Sequence, residues 1–189
     1  MTQSFDTPTT AVSDISGKYT LDNTHTQLGF SARHAMVTTV RGQFRDFEGS
    51  AVVDVENPSE SSVSVTIKTA SVDTGVADRD GHLRSGDFFE VETHPEITFV
   101  STAVERTDDV TWAITGDLTI KDVTRSVTIP FEQTGSARDP FGNLRIGFEG
   151  EAAISRKDFG LTYNAALETG GVLISDKIKL AFDISAIQA

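Results

Sequence analysis

Residues 79–100 read RDGHLRSGDFFEVETHPEITFV, and this stretch interrupts a chain that otherwise alternates apolar and polar residues. Alternation with period two is the mark of half-buried strands. Here it stops. Asp78 stands where it can cap a short helix, and Gly86 where such a helix would end. Gly81 within it weakens the helix by roughly 1 kcal/mol relative to alanine. Leu83, Phe88 and Phe89 need burial, yet the segment is too short to build its own core. The economical reading is a lid laid over one mouth of a β-structure; the plainer one is a packed-down connection.

Working outward, strand patterns lie on both sides. Upstream, Leu28, Phe30, Ala32 and His34 share one face, with Gln27, Ser31 and Arg33 on the other. Gly42 and Gly49 read as bends or bulges. Ala51, Val53 and Val55 follow, then Val63, Val65 and Ile67. Downstream, Ile97, Phe99, Ser101 and Ala103 form a stripe with Val100 and Val104 opposite. Trp112, Ile114, Gly116, Leu118 and Ile120 make a long run, turned by KDVTR (121–125) into Val127, Ile129 and Phe131. Residues 134–143, TGSARDPFGN, read as a turn-rich loop. Leu144 to Ile154 alternate again, residues 158–171 are irregular, and Ile178 to Ala186 give a last strand.

About eight strands without a βαβ rhythm predict an all-β antiparallel sheet. Such a set can pack as a sandwich or close as a barrel. Closure removes exposed edges, and an eight-stranded barrel is just wide enough for one small ligand. The barrel is therefore the expected fold, over residues 17–189, behind a flexible arm at 1–16.

The totals exclude several classes. The chain has 189 residues, no cysteine and a net charge of −12. There is accordingly no disulfide, thiolate nucleophile or cysteine metal site. A surface this acidic repels nucleic-acid phosphates and anionic bilayers. No apolar run approaches the ~20 residues that span a bilayer, so no stable membrane insertion is expected. The opening MTQSFDTPTTAVSDIS lacks a basic and an apolar signal region, which makes a cytoplasmic location the expectation.

Four segments carry a family likeness: YTLDNTHTQLGFSARH (19–34), VRGQFRDFEGS (40–50), RDGHLRSGDFFEVETHPEITF (79–99) and GDLTIKDVTRSVTIPF (116–131). Together they resemble the YceI-like family of polyisoprenoid-binding, lipocalin-like proteins, over roughly residues 17–187. Gly81 and Gly86 depart from the bulkier residues common in that family and loosen the lid helix. The resemblance implies an eight-stranded antiparallel lipocalin-like barrel with an apolar tunnel. It also implies a non-enzymatic role in binding, sequestering or transporting a long-chain isoprenoid or similar amphipathic lipid. No cofactor beyond that lipid is implied, and a homodimer is left open.

Candidate tunnel residues are Phe30, Ile67, Phe99, Trp112, Ile114, Ile129, Phe148 and Phe182, with Phe88 from the lid. Each could equally fill a solid barrel. Strands of ~10 residues tilted by ~40° make a barrel roughly 25 Å high. A chain of about 40 carbons would have to fold or protrude. His34 is either a buried histidine or a polar contact at the mouth. Arg33, Arg41, Arg79 and Arg84 are candidates for meeting an anionic head, Arg79 and Arg84 foremost, because a guanidinium fork suits phosphate or carboxylate. The four histidines lack zinc-ligand spacing. Ser85, His82 and Asp87 form a hydrolase triad only on paper. A lipid-modifying isomerase or cyclase, or an interaction module with a filled core, are the rival readings.

Overall fold

The computed structural model describes residues 14–189. Strands β1 (Gly17–Leu21), β4 (Phe47–Val53), β5 (Ser62–Lys68), β7 (Glu96–Arg106), β8 (Thr111–Ile120), β9 (Val123–Arg138), β10 (Leu144–Ser155) and β11 (Lys177–Gln188) hydrogen-bond in that order, and β11 returns to β1. The sheet is thus a closed antiparallel barrel of eight staves. Three staves are broken. β2 (Gln27–His34) continues β1 along β11, β3 (Thr38–Phe44) continues β4, and β6 (Val72–Asp73) continues β5.

The connections sort the ends. The β2–β3 turn, helix α1 (Ala77–Arg84), the β8–β9 turn and residues 156–176 gather at one end, called here the lid end. The chain start and the β4–β5, β7–β8 and β9–β10 connections lie at the other. Asp22, in the break between β1 and β2, fastens that stave. It accepts from Thr24 and His25 and pairs with Arg145 at 2.6 Å, which in turn reaches Asp139 at 2.9 Å. Burial alone would raise the Asp22 pKa, but the hydrogen bonds from Thr24, His25 and Arg145 outweigh it and hold the carboxyl well below its usual range.

The far end is solid. Tyr19, Val104, Trp112, Leu144, Ile146 and Ala186 pack there, and Ile15 is buried against them at 3% exposure. Tyr19 donates to the Ile15 carbonyl at 2.7 Å. The packing therefore begins before Gly17, because the Ile15 side chain is buried in this end; residues 1–13 of the expected arm lie outside the described residues.

Several expectations are corrected in physical terms. Gly42 and Gly49 are not bends: the chain turns at Arg45–Asp46, between β3 and β4. A methyl on Gly42 would sit 2.5 Å from the Phe30 ring, and one on Gly49 2.6 Å from Leu21. The glycines make room for side chains from the neighbouring stave. A bulge between Ser101 and Ala103 reverses the parity of β7, so Val104 turns inward at 6% exposure while Val100 stays outside. β9 runs on through Arg138, leaving only residues 139–143 as the turn, held by Asp139 accepting from the Phe141 and Asn143 amides. Asp78 does not cap α1; Val76 is the N-cap and makes no side-chain bond.

Two glycine substitutions test this packing with opposite signs. A methyl at Gly116 would lie 2.5 Å from Phe99 and 2.7 Å from the Val100 carbonyl, whereas one at Gly81 meets nothing within 4 Å. Gly116→Ala is expected to lose about 2 kcal/mol to overpacking. Gly81→Ala should gain up to about 1 kcal/mol from helix propensity. Urea melts of the two variants beside the parent check both; equal effects of the same sign would refute the clearance role.

Candidate ligand cavity beneath the lid

At the lid end the barrel is hollow. A cavity of about 450 Å³ lies under α1 and the 156–176 segment, lined by Phe30, Ala32, Val40, Phe44, Ile97, Ile120, Ile154, Ile178 and Leu180 from the staves. A smaller void of about 130 Å³ continues toward the barrel middle, bounded by Ile67, Phe99, Leu118, Ile129 and Phe182. Phe30, Phe44, Ile97, Ile120, Ile154 and Leu180 border both. The interior is thus a blind, apolar well with its floor at the packed far end.

The roof has two halves. The first is the stretch that broke the alternation. Leu83, Phe88 and Phe89 face down into the cavity, Phe88 at 7% exposure. Phe89 meets Phe44 edge-on at 5.7 Å between centroids, and Phe44 meets Phe30 at 5.6 Å. Polar bonds hold α1 in place: buried Asp80 accepts from the amide and hydroxyl of Thr74, and Arg79 donates to the Thr74 hydroxyl and carbonyl at 2.7 and 2.8 Å. His82 stacks edge-on against Phe88 and Tyr163, each at 5.0 Å, and bonds Asp87 at 2.9 Å.

The second half comes from residues 156–176 and contributes Leu161, Tyr163, Leu173 and Ile174. Arg156 organises it. The residue is 3% exposed, and its guanidinium donates to the carbonyls of Leu161, Tyr163, Ile174 and Ser175 at 2.6 to 3.4 Å. Burial lowers its pKa from the ordinary value, against an opposing pull from Asp176, yet a guanidinium keeps its charge in proteins. Four carbonyl dipoles, not a carboxylate, satisfy it. Sequence reading missed this half because it has no period; a basic residue beside a glycine-ended irregular run was the one signal present.

The anticipated residues divide by depth. Phe30, His34, Arg79 and Phe88 border the main cavity, and Ile67, Phe99, Ile129 and Phe182 the void below it. Trp112, Ile114 and Phe148 belong to the packed floor. Arg84 does not line the cavity; its guanidinium donates to the carbonyls of Ala70 and Val72, where β5 passes into β6. Arg33 stands at the rim; Arg41 is on the outer face. The paper triad is not assembled: the Ser85 hydroxyl donates to the backbone carbonyl of His82 at 2.6 Å, not to its ring. Among the described residues there is no group of His, Asp and Glu placed to hold a metal ion.

A family model for the YceI-like domain matches residues 19–186. This chain belongs to the YceI-like family. A UPF0312 protein of Photorhabdus laumondii is 42% identical over 151 residues, covering 79% of this chain and 78% of the relative. The crystal structure of Burkholderia cenocepacia BcnA superimposes with a TM-score of 0.77 at 24% identity, covering 87% of this chain and 98% of its own. A polyisoprenoid binding domain from Saccharophagus degradans does so with a TM-score of 0.67 at 19% identity, over 90% and 98%. These two likenesses show the fold of this YceI-like chain: a closed antiparallel barrel under a short helix.

The Arg156 clasp yields a prediction. Arg156→Met would leave four carbonyls without their donor, at a cost of about 3 kcal/mol. Amide exchange should then lose protection across residues 161–174 before the barrel strands lose theirs. Unchanged protection of that segment would show that Arg156 does not hold the roof.

Proposed function

We propose that this YceI-like protein binds a long-chain isoprenoid or similar amphipathic lipid, and sequesters or carries it without changing it chemically. The observation that carries this reading is the 450 Å³ apolar cavity roofed by side chains, a volume within the range of small-molecule sites. Burying alkyl groups there needs no catalytic residue, because each methylene removed from water contributes about 0.8 kcal/mol. The family, and the polyisoprenoid binding of the Saccharophagus degradans domain, support the same class of ligand.

Size sets a bound. Taking a methylene as displacing about the volume of one liquid water, ~30 Å³, the main cavity holds on the order of fifteen such groups. A longer chain runs into the lower void and then out past the rim. There the guanidinium groups of Arg79 and Arg33, each also donating to its own turn, lie at the rim for a polar or anionic head, with Asp78 the one carboxylate among the described residues lining the cavity. The filled-module reading is disfavoured by the hollow, and the isomerase or cyclase reading would rest on the His82–Asp87 pair, whose imidazole is packed edge-on against Phe88 and Tyr163.

Two substitutions test the reading at different depths. Ala32 lines the cavity, and Trp112 packs in the floor. Ala32→Trp, which fills the well, should weaken binding of a fluorescent prenyl probe by about tenfold or more, a decade being 1.4 kcal/mol. Trp112→Phe should leave the affinity close to that of the parent. Equal affinity in parent and Ala32→Trp, or no probe binding by delipidated parent, would overturn the proposal.

A further inference from the structure

The net charge of −12 predicts repulsion from anionic surfaces, yet the charge is not spread evenly. On the outer wall, β11, β2 and β3 are adjacent staves. Lys179 lies opposite Ser31, which lies opposite Arg41; one rung nearer the lid, Arg33 lies opposite Thr39, with Lys177 beside it on β11. Neighbouring strands are about 4.8 Å apart, so four exposed cations occupy two rungs of three strands. The shallow groove they line contains one carboxylate, Glu151, and it is paired with Lys179 at 3.2 Å. Among the described residues, neither the Arg41 guanidinium nor the Lys177 ammonium has a hydrogen-bond or ion-pair partner.

Directly above these rungs the β2–β3 turn projects. Its tip carries Met36 at 65% and Val37 at 74% exposure, with Val172 of the roof at 45% beside it. The tip is braced rather than loose. The Ala35 amide donates to the Leu173 carbonyl at 2.7 Å, and Arg33 donates to Thr39 and to the Val37 carbonyl. Ala35 and Met36 hold positive φ to make the turn, and the Met36 sulfur lies against Gly171 of the roof. Arg33, His34, Leu173 and Ile174 line the cavity just behind it.

We propose that this corner of the lid end is a docking surface for an anionic lipid bilayer. Met36, Val37 and Val172 enter the interface, and Arg33, Arg41, Lys177 and Lys179 meet the headgroups. The occupant follows from the pairing of an apolar tip with a basic wall, the pattern that suits a bilayer with negative headgroups. Charges more than a Debye length away, about 8 Å at physiological salt, are screened. The local patch therefore governs contact although the molecule as a whole is acidic. Glu168 and Asp176, each four residues from Val172, are the nearest opposing charges by sequence, and Asp176, which adjoins Lys177, has its carboxylate bonded to the Ser155 hydroxyl and the Lys157 amide. Docking is peripheral, in keeping with the lack, among the described residues, of any helix long and apolar enough to cross a membrane. It brings the cavity rim to the surface from which an amphiphile would enter. Docking is read apart from probe binding, so its failure is distinguishable from failure of the lipid-carrier proposal.

Vesicle flotation tests it with the full chain. Mixed phosphatidylglycerol–phosphatidylcholine vesicles should retain the protein, pure phosphatidylcholine vesicles should not, and high salt should release it. Arg41→Gln with Lys177→Gln should weaken partitioning about 30-fold, at the usual worth of a basic residue near an anionic surface. Met36→Asn with Val37→Ser should weaken it several-fold on the same vesicles. These side chains are exposed, and thermal melting beside the parent verifies that each pair folds. Loss in both pairs supports the proposal. Retention on neutral vesicles alone, no retention at all, or an effect of the charge pair without one of the apolar pair would each overturn it.

Discussion

Large rings inside an eight-stranded barrel must lie flat against the wall if any space is to remain along the axis. Such a barrel is only just wide enough for its own side chains. Here the clearance comes from glycines on the neighbouring stave. Phe30 lies over Gly42, Phe99 over Gly116 and Phe131 over Gly150, where an added methyl would come within 2.5 to 2.6 Å of the ring. Phe131 in turn meets Phe182 at 5.9 Å between centroids. Rings flattened in this way give an apolar wall without filling the centre.

The same constraint separates the two ends. At the floor, Trp112, Tyr19 and Leu144 point to the axis and meet, and Ile15 seals them. At the lid two connections, residues 74–95 and 156–176, are long, and the roof is made from them and not from strands. It is made of irregular backbone held by buried polar groups: Thr74 between Asp80 and Arg79 on one side, and Arg156 among four carbonyls on the other. Buried polar bonds of this kind specify one arrangement when fully satisfied and are costly when one member is lost. The roof is therefore definite in shape although it has little regular structure. It is also the part of the molecule built from the fewest stave-to-stave bonds, which is where opening for a ligand is least costly.

Much of this was legible in the sequence, for a physical reason. Alternation reports which face of a strand is wet, so the staves, the closed barrel and the break at 79–95 could be read directly. Depth along the axis leaves no such trace. Phe99 and Trp112 look alike in the pattern, yet one borders the void and the other packs the floor. Glycine was ambiguous for the same reason: period two cannot tell a bend from a gap left for a ring, and Gly42 and Gly49 were read as the former. The bulge at Ser101–Ala103 was hidden because serine and alanine fit either face. Residues 156–176 carry no period at all, so neither the buried place of Arg156 nor this half of the roof shows in the pattern. The fourfold cluster of Arg33, Arg41, Lys177 and Lys179 is a product of strand pairing between distant segments, invisible to a count that totals −12.

The central claim is that the lid end encloses room for an alkyl chain while the far end does not. Crystals of delipidated protein grown with a terminally brominated long-chain lipid test this through the anomalous signal of bromine. A peak among Phe44, Ile120, Ile154 and Leu180, beneath Phe88 and Phe89, is the expected result. Bromine found only outside the barrel, with those side chains closed together across the axis, would contradict it.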